Sequence, residues 1–218
     1  MLILQNKISL EALLKAKKQL DYAIAYAKTD LEKTGSIKCF EFGTHIDFPR
    51  HIIPGGADVS SFSIENSSSL CIVMYPDHKA ENDFVLTKQM LEVFENKHGI
   101  IPNNAWFLLL TGWGKKAYSQ DAYQNYQGST MHFPTIAEDA AHFLVKRGIK
   151  GFGIDTLSPD AEFSNFNVHK ILLEANVVIV ENVKYIPNLP PSRGFLQVVP
   201  LALTNAGECP ARLIYAYR

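Results

Sequence analysis

Between residues 41 and 51 the chain reads EFGTHIDFPRH, which gathers one Glu, two His and one Asp around a glycine and a proline. Imidazole nitrogens and carboxylate oxygens together form a mixed N/O donor set, suited to Zn²⁺ or Mn²⁺. His45 and Asp47 are two apart, so on an extended backbone both side chains leave the same face. Glu41, four residues before His45, shares that face if the strand runs on unbroken. Gly43 and Pro49 punctuate the strand, which suits a chain bent to aim side chains at one point. His51 is a fourth candidate, as a ligand or as a proton-transfer group. Spacing alone leaves a second reading open, in which these groups line a polar turn that His45 and Asp47 cap.

The elements that must position these groups alternate in type. Ser9 to Leu20 reads as a short helix, with Ser9 as cap and Leu10, Leu13 and Leu14 on one face. Tyr22, Ile24 and Tyr26 alternate with alanines as on a strand, and SIKCFEF returns as a second strand into the ionisable cluster. Further on, Leu70 to Tyr75 reads as a buried strand. Phe84 to Lys97 reads as an amphipathic helix ended by His98 and Gly99, and Ala105 to Thr111 as another strand. Thr135 to Glu138, TIAE, has the form of a capping box, opening a helix that runs to about Arg147 and stops at Gly148. IKGFGID and NVVIVEN are strands with a short helix around His169 to Ala175 between them, and FLQVVP and ARLIYAY close the chain. This order predicts an α/β protein in which a mixed sheet, or two sheets, carries flanking helices.

The totals bound the function. At 218 residues the chain suits one domain or at most two small ones. Twenty-one basic and 22 acidic side chains give a formal charge of −1, which offers no electrostatic footprint for nucleic acid or an anionic membrane. The longest apolar runs, such as LCIVMY and AWFLLL, are too short to span a bilayer. The first residues lack the pattern of a secretory signal. Three widely spaced cysteines, Cys39, Cys71 and Cys209, without a Cys-x-x-Cys pair, predict reduced thiols in a cytoplasmic protein.

GTHIDFPRH resembles the His-x-Gly-Thr-His-x-Asp-x-Pro-x-His signature of the cyclase-like metal-dependent hydrolases, which include bacterial kynurenine formamidase (arylformamidase) and isatin hydrolase. LLLTGW, FPTIAEDAAHFLVKRGIKGFGIDTLSPD, HKILLEANVVIVENV and PARLIYAY carry the similarity from about Lys38 to the end. The resemblance implies a single domain over 1–218 with the swivelling β/β/α cyclase fold, residues 1–37 being an atypical N-terminal segment. It implies metal ligands at His45, Asp47, His169 and Glu181, a catalytic histidine at His51, a divalent Mn or Zn ion (one or two per subunit) and a homodimer. The implied substrate is a small aromatic formamide or cyclic amide, hydrolysed at its C–N bond by metal-activated water with His51 as proton shuttle. A lactone or cyclic-ester hydrolase, a cyclase, and a non-catalytic metal or small-molecule binder are the competing functions.

Two departures stand out. The signature's first histidine is Glu41 here, so Glu41, Asp47 and Glu181 around one divalent ion leave a net charge of −1. Two ions leave +1, and because the added negative charge raises the pKa of bound water and favours Mn²⁺ over Zn²⁺, either a Mn²⁺-preferring two-metal site or a single-metal site is expected. The segment ISLEALLKAKKQLDYA also lacks the family's Pro-rich stretch, so the resemblance implies the reaction class without kynurenine-type specificity. Trp113, on the loop TGWG after a strand, is placed to stack on an aromatic substrate or to pack. Asp155 either binds the backbone of Thr156 or Ser158 in a turn, the favoured reading, or supports a metal ligand from behind.

Overall fold

The computed structural model describes residues 43–63, 67–76, 82–192 and 194–217. The expected helix at Ser9 to Leu20, the two strands that follow it, and Glu41 lie outside the described residues. Gly43–Arg218 forms one compact unit.

Along this unit run β1 (His45–Asp47), β2 (Ser68–Met74), β3 (Val85–Leu86), helix α1 (Lys88–His98) and β4 (Trp106–Leu109). Then come the short helix α2 (Gln120–Gln124), β5 (Tyr126–Gln127), β6 (Thr130–Met131), β7 (Thr135–Ile136) and helix α3 (Glu138–Arg147). β8 (Gly151–Ile154), helix α4 (Asn167–Glu174), β9 (Val178–Glu181), β10 (Gly194–Pro200) and β11 (Glu208–Tyr217) complete it. Seven of these strands close a barrel, β1-β11-β10-β2-β4-β8-β9, while β3–β7 (parallel) and β5–β6 (antiparallel) form separate two-stranded sheets. Within the barrel, β2, β4, β8 and β9 are parallel to their neighbours in that order, and the other pairs, including both made by β1, are antiparallel. The mixed sheet expected from the order of elements is thus present, curled until its edges meet.

Two apolar layers explain why these sequences take these places. The parallel strands read CIVM, WFLL, GFGI and VIVE, the continuous runs expected where both faces are covered. Val73, Trp106, Leu108, Val180, Leu196 and Val198 fill the barrel. Ile72, Phe107, Leu109, Phe152 and Ile179, at the alternate positions, pack outward against Leu91 and Phe94 of α1, Leu144 of α3 and Leu172 of α4. Gly151 makes room for the interior: a Cβ there would lie 2.0 Å from the Trp106 ring.

Two expected boundaries move. Helix α1 starts at Lys88, capped by the Thr87 hydroxyl on the Met90 amide, and not at Phe84. The TIAE capping box does not form, because Thr135 lies in β7 and the α3 cap position falls on Ala137, which has no side chain to accept a bond. The Thr135 and Ala137 amides bond instead to the carbonyls of Phe84 and Leu86, so β3–β7 pairing displaces the cap. At the other end Gly148, in the left-handed region at φ 70°, stops α3 as its sequence position predicts. No helix among the described residues is long and apolar enough to cross a membrane.

Candidate metal centre

Strand parity places the ionisable groups. Ile46 and Cys209 point into the barrel, so their neighbours His45, Asp47 and Glu208 point out, toward the helices. Ile179 also faces outward, and Glu181, two residues on, shares its face. Register brings these side chains level: His45 stands opposite Glu181, and Asp47 stands opposite Ile179 on one side and Glu208 on the other. Helix α4, packed against β9, adds His169 from above.

The result is a buried cluster of imidazoles and carboxylates. His45 Nε2 lies 3.7 Å from Asp47 Oδ1 and 3.3 Å from Glu181 Oε2. His169 Nε2 lies 3.6 Å from Asp47 Oδ2 and 3.2 Å from Glu181 Oε1. Each ring is held by its other nitrogen. His45 Nδ1 donates to the Gly43 carbonyl at 2.9 Å, and Gly43, at φ 87°, takes the backbone turn that brings this carbonyl back. His169 Nδ1 donates to Asp160 Oδ2 at 2.7 Å, while Asp160 also accepts the Val168 and His169 amides at the start of α4. Both Nε2 atoms therefore face the carboxylates.

The electrostatics call for positive charge. Burial opposes a proton on His45, but Glu181 and Asp47 outweigh it and push the imidazole up to about 10. His169, with Asp160, Asp47 and Glu181 around it, overcomes the same burial and is pushed up to about 11. Burial works to raise Asp47, yet the three surrounding histidines, His45, His51 and His169, hold it below the usual carboxylate range. Even so, Asp47 Oδ1 and Glu181 Oε1 are buried without a hydrogen-bond partner among the described residues. A divalent cation satisfies both needs, and the imidazole and carboxylate donors suit Zn²⁺ or Mn²⁺. His45, Asp47 and Glu181 can converge on one point, and Asp47, His51 and His169 on a second, each set with ligand atoms within 4.8 Å of one another. Asp47 belongs to both.

Of the residues singled out in the sequence, His45, Asp47, His169 and Glu181 meet, and His51 stands beside them, its ring 5.9 Å from that of His169. Glu41 lies outside the described residues. Trp113 is 3% exposed, donates from Nε1 to the Tyr123 carbonyl and has Lys116 Nζ 3.2 Å over its ring, so it packs rather than offering an open stacking face. Asp155 does not bind the backbone of Thr156 or Ser158. It accepts the Thr111 amide and hydroxyl and the Gly112 and Gly114 amides, tying the TGWG loop down.

Three residues went unseen in the sequence. Asp160 precedes His169 by nine residues across a loop, without the spacing of a helix or strand to pair them. Glu208 opens an apolar strand, and a lone buried acid there is a signal that the closing strands alone do not interpret. Phe166, 53% exposed and in the left-handed region at φ 56°, sets its ring edge-on to His169 at 5.3 Å.

The family model described as "Putative cyclase" matches residues 22–161, more than half of the chain. The isatin hydrolase of Roseibium aggregatum is 26% identical over 183 residues, covering 79% of this chain and 70% of that protein. The kynurenine formamidase of Salinibacter ruber is 22% identical over 182 residues, covering 79% of this chain and 74% of that protein. Among solved structures, isatin hydrolase A from Labrenzia aggregata bound to benzyl benzoate superposes with a TM-score of 0.74 at 28% identity, covering 83% of this chain and 75% of that one.

Proposed function

The chain belongs to the cyclase family, and from that premise we propose that it is a metal-dependent hydrolase of the C–N bond in a small aromatic formamide or cyclic amide. The carrying observation is the pair of buried, unpartnered carboxylate oxygens on Asp47 and Glu181, facing two imidazoles whose other nitrogens are already held. His45, Asp47, His169 and Glu181 would hold the ion in this reading. One ion or two would be held by these groups, with His51 left to carry protons.

When bound, a divalent ion supplies Lewis acidity and the means to ionise water near neutral pH. His51, beside the cluster, takes the proton of the attacking water and returns it to the leaving nitrogen. Phe166 and Phe163, 53% and 77% exposed on the loop that enters α4, supply aromatic surface for an aryl substrate. Both are held at positive φ, which bulky residues rarely adopt. A homodimer is part of the same proposal. Leu70, Phe195, Val199 and Ile214, partly exposed on the outward face of β2, β10 and β11, support it.

Mass spectrometry on tag-free protein purified without chelator tests the metal, and turnover of isatin, formanilide and a simple aryl lactone tests the reaction. Mn or Zn at one or two per subunit, with amide cleavage abolished by His51→Ala and metal retained, is the expected result. Lactone turnover alone overturns the C–N assignment. Protein that takes up neither ion overturns the hydrolase.

A further inference from the structure

We propose that Glu208 is the positioning residue of His51: its carboxylate accepts the proton on His51 Nδ1, fixes the ring and its tautomer, and leaves Nε2 to the reaction. The inference deepens the proposed hydrolase and rests on His51 being its proton carrier, but the contact itself is independent of turnover.

Three observations carry it. Glu208 is only 8% exposed, and a carboxylate is taken out of water at considerable cost unless a charged or donating group meets it. One group it meets is His51, whose Nδ1 lies 3.2 Å from Glu208 Oε2, an ion-pair distance short of hydrogen-bond geometry. Its position is dictated by the barrel: the β1–β11 register sets Glu208 opposite Asp47, and strand parity turns it outward on the side where the ligands converge.

The preceding residue does for the backbone of His51 what Glu208 does for its ring. A Cβ at Gly207 would lie 2.7 Å from both His51 Cα and His51 N, so only glycine lets this chain pass so close. The Gly207 carbonyl accepts the Phe48 amide at 2.8 Å, and the Phe48 carbonyl accepts the His51 amide at 2.8 Å, closing the turn over Pro49–His51. Two successive residues, Gly207 just before β11 and Glu208 opening it, thus fix where His51 sits and which way it faces. A neutral imidazole carries its proton on one nitrogen only, and a carboxylate at Nδ1 selects the form whose Nε2 is a base.

The test uses the full-length Zn²⁺-loaded protein as wild type, Glu208→Ala and Glu208→Gln. It reads metal per subunit, kcat and KM separately, and the ¹⁵N shifts of the His51 ring, assigned by their loss in His51→Gln. The wild type is expected to hold His51 in the Nδ1–H tautomer, and Glu208→Ala to give a tautomer mixture. Metal content stays unchanged, KM stays within about twofold, and kcat falls on the order of 10–100-fold, part of the contribution of a general base. Glu208→Gln, which keeps an acceptor oxygen, restores both tautomer and kcat in part. Loss of metal in both variants makes Glu208 a ligand and overturns the assignment, as does a lowered melting temperature with tautomer and kcat per folded molecule unchanged. A tautomer shift in a protein without amide turnover supports the Glu208–His51 pairing and overturns the hydrolase alone.

Discussion

Two buried carboxylates stand at the same ends of neighbouring parallel strands, Asp155 just past β8 and Glu181 closing β9, and the chain treats them oppositely. Asp155 is saturated. Thr111 bonds it twice at 2.7 Å, through amide and hydroxyl, and the Gly112 and Gly114 amides follow at 2.9 and 3.1 Å. Burial still pushes its carboxyl up, because four donors do not replace all the water it lost. Glu181 has Oε1 without a hydrogen bond among the described residues and imidazoles at 3.2 and 3.3 Å. A carboxylate satisfied by its own chain holds a loop in place. One left unsatisfied beside imidazoles is available to an ion.

Substitutions sharpen that contrast. Glu181→Gln is expected to have the largest effect, removing retained metal and lowering turnover by more than the roughly 10–100-fold typical of residues that only support a ligand. Its metal-free form stays folded but melts lower, because the two imidazoles lose one of the carboxylates that hold their protons. Metal analysis and thermal unfolding on one preparation read both, and a variant that unfolds but keeps its metal would sink the distinction. Asp155→Ala is expected to do the reverse, destabilising by about 2–4 kcal/mol as buried amides lose their acceptor while the affinity of the folded protein for metal holds. Urea titration with metal-binding isotherms separates the two effects.

Asp160→Asn tests an intermediate case, a satisfied carboxylate that acts through His169. Metal affinity is expected to weaken about 10–100-fold, measured by competition with a chromogenic chelator. pH supplies a further test. The folded imidazoles are raised to about 10 at His45 and about 11 at His169, above their ordinary 6.5, so their protonation stabilises the metal-free fold fully below that ordinary value. This stability is lost as pH rises toward the folded values. Metal must displace those protons, so its apparent affinity climbs with pH, and calorimetry in buffers of different ionisation enthalpy counts the protons released. The smallest effect is expected at Phe166→Leu, a rise in KM of about 2–10-fold for aryl amides and not for aliphatic formamides, the size of one lost aromatic contact.

How much of this was legible in the sequence follows from the range of each interaction. The two-residue period put His45 and Asp47 on one face, and the glycine stop at Gly148 fell where expected, because both are local. His169 and Glu181 were legible only through resemblance to a family, since no periodicity links them to residues more than a hundred positions earlier. Glu208 and Asp160 were missed because their partners depend on barrel register and on a loop's path. The capping box failed for a similar reason: Thr135 and Ala137 had amides that β3–β7 pairing claimed first. Trp113 was read from its loop, and the cation over its ring lay outside that view.

β1 is three residues long, yet it is bonded on both sides, to β9 and to β11. It is the seam at which the sheet meets itself, and it carries His45 and Asp47 while its two neighbours carry Glu181 and Glu208. The residues of the candidate site are therefore brought together only when the barrel shuts, and a chain with that seam open has no site to offer. An ion held across it would act as a clasp, drawing its affinity from the closed form alone, so the strength of binding would also measure how firmly the ends of the sheet are held together.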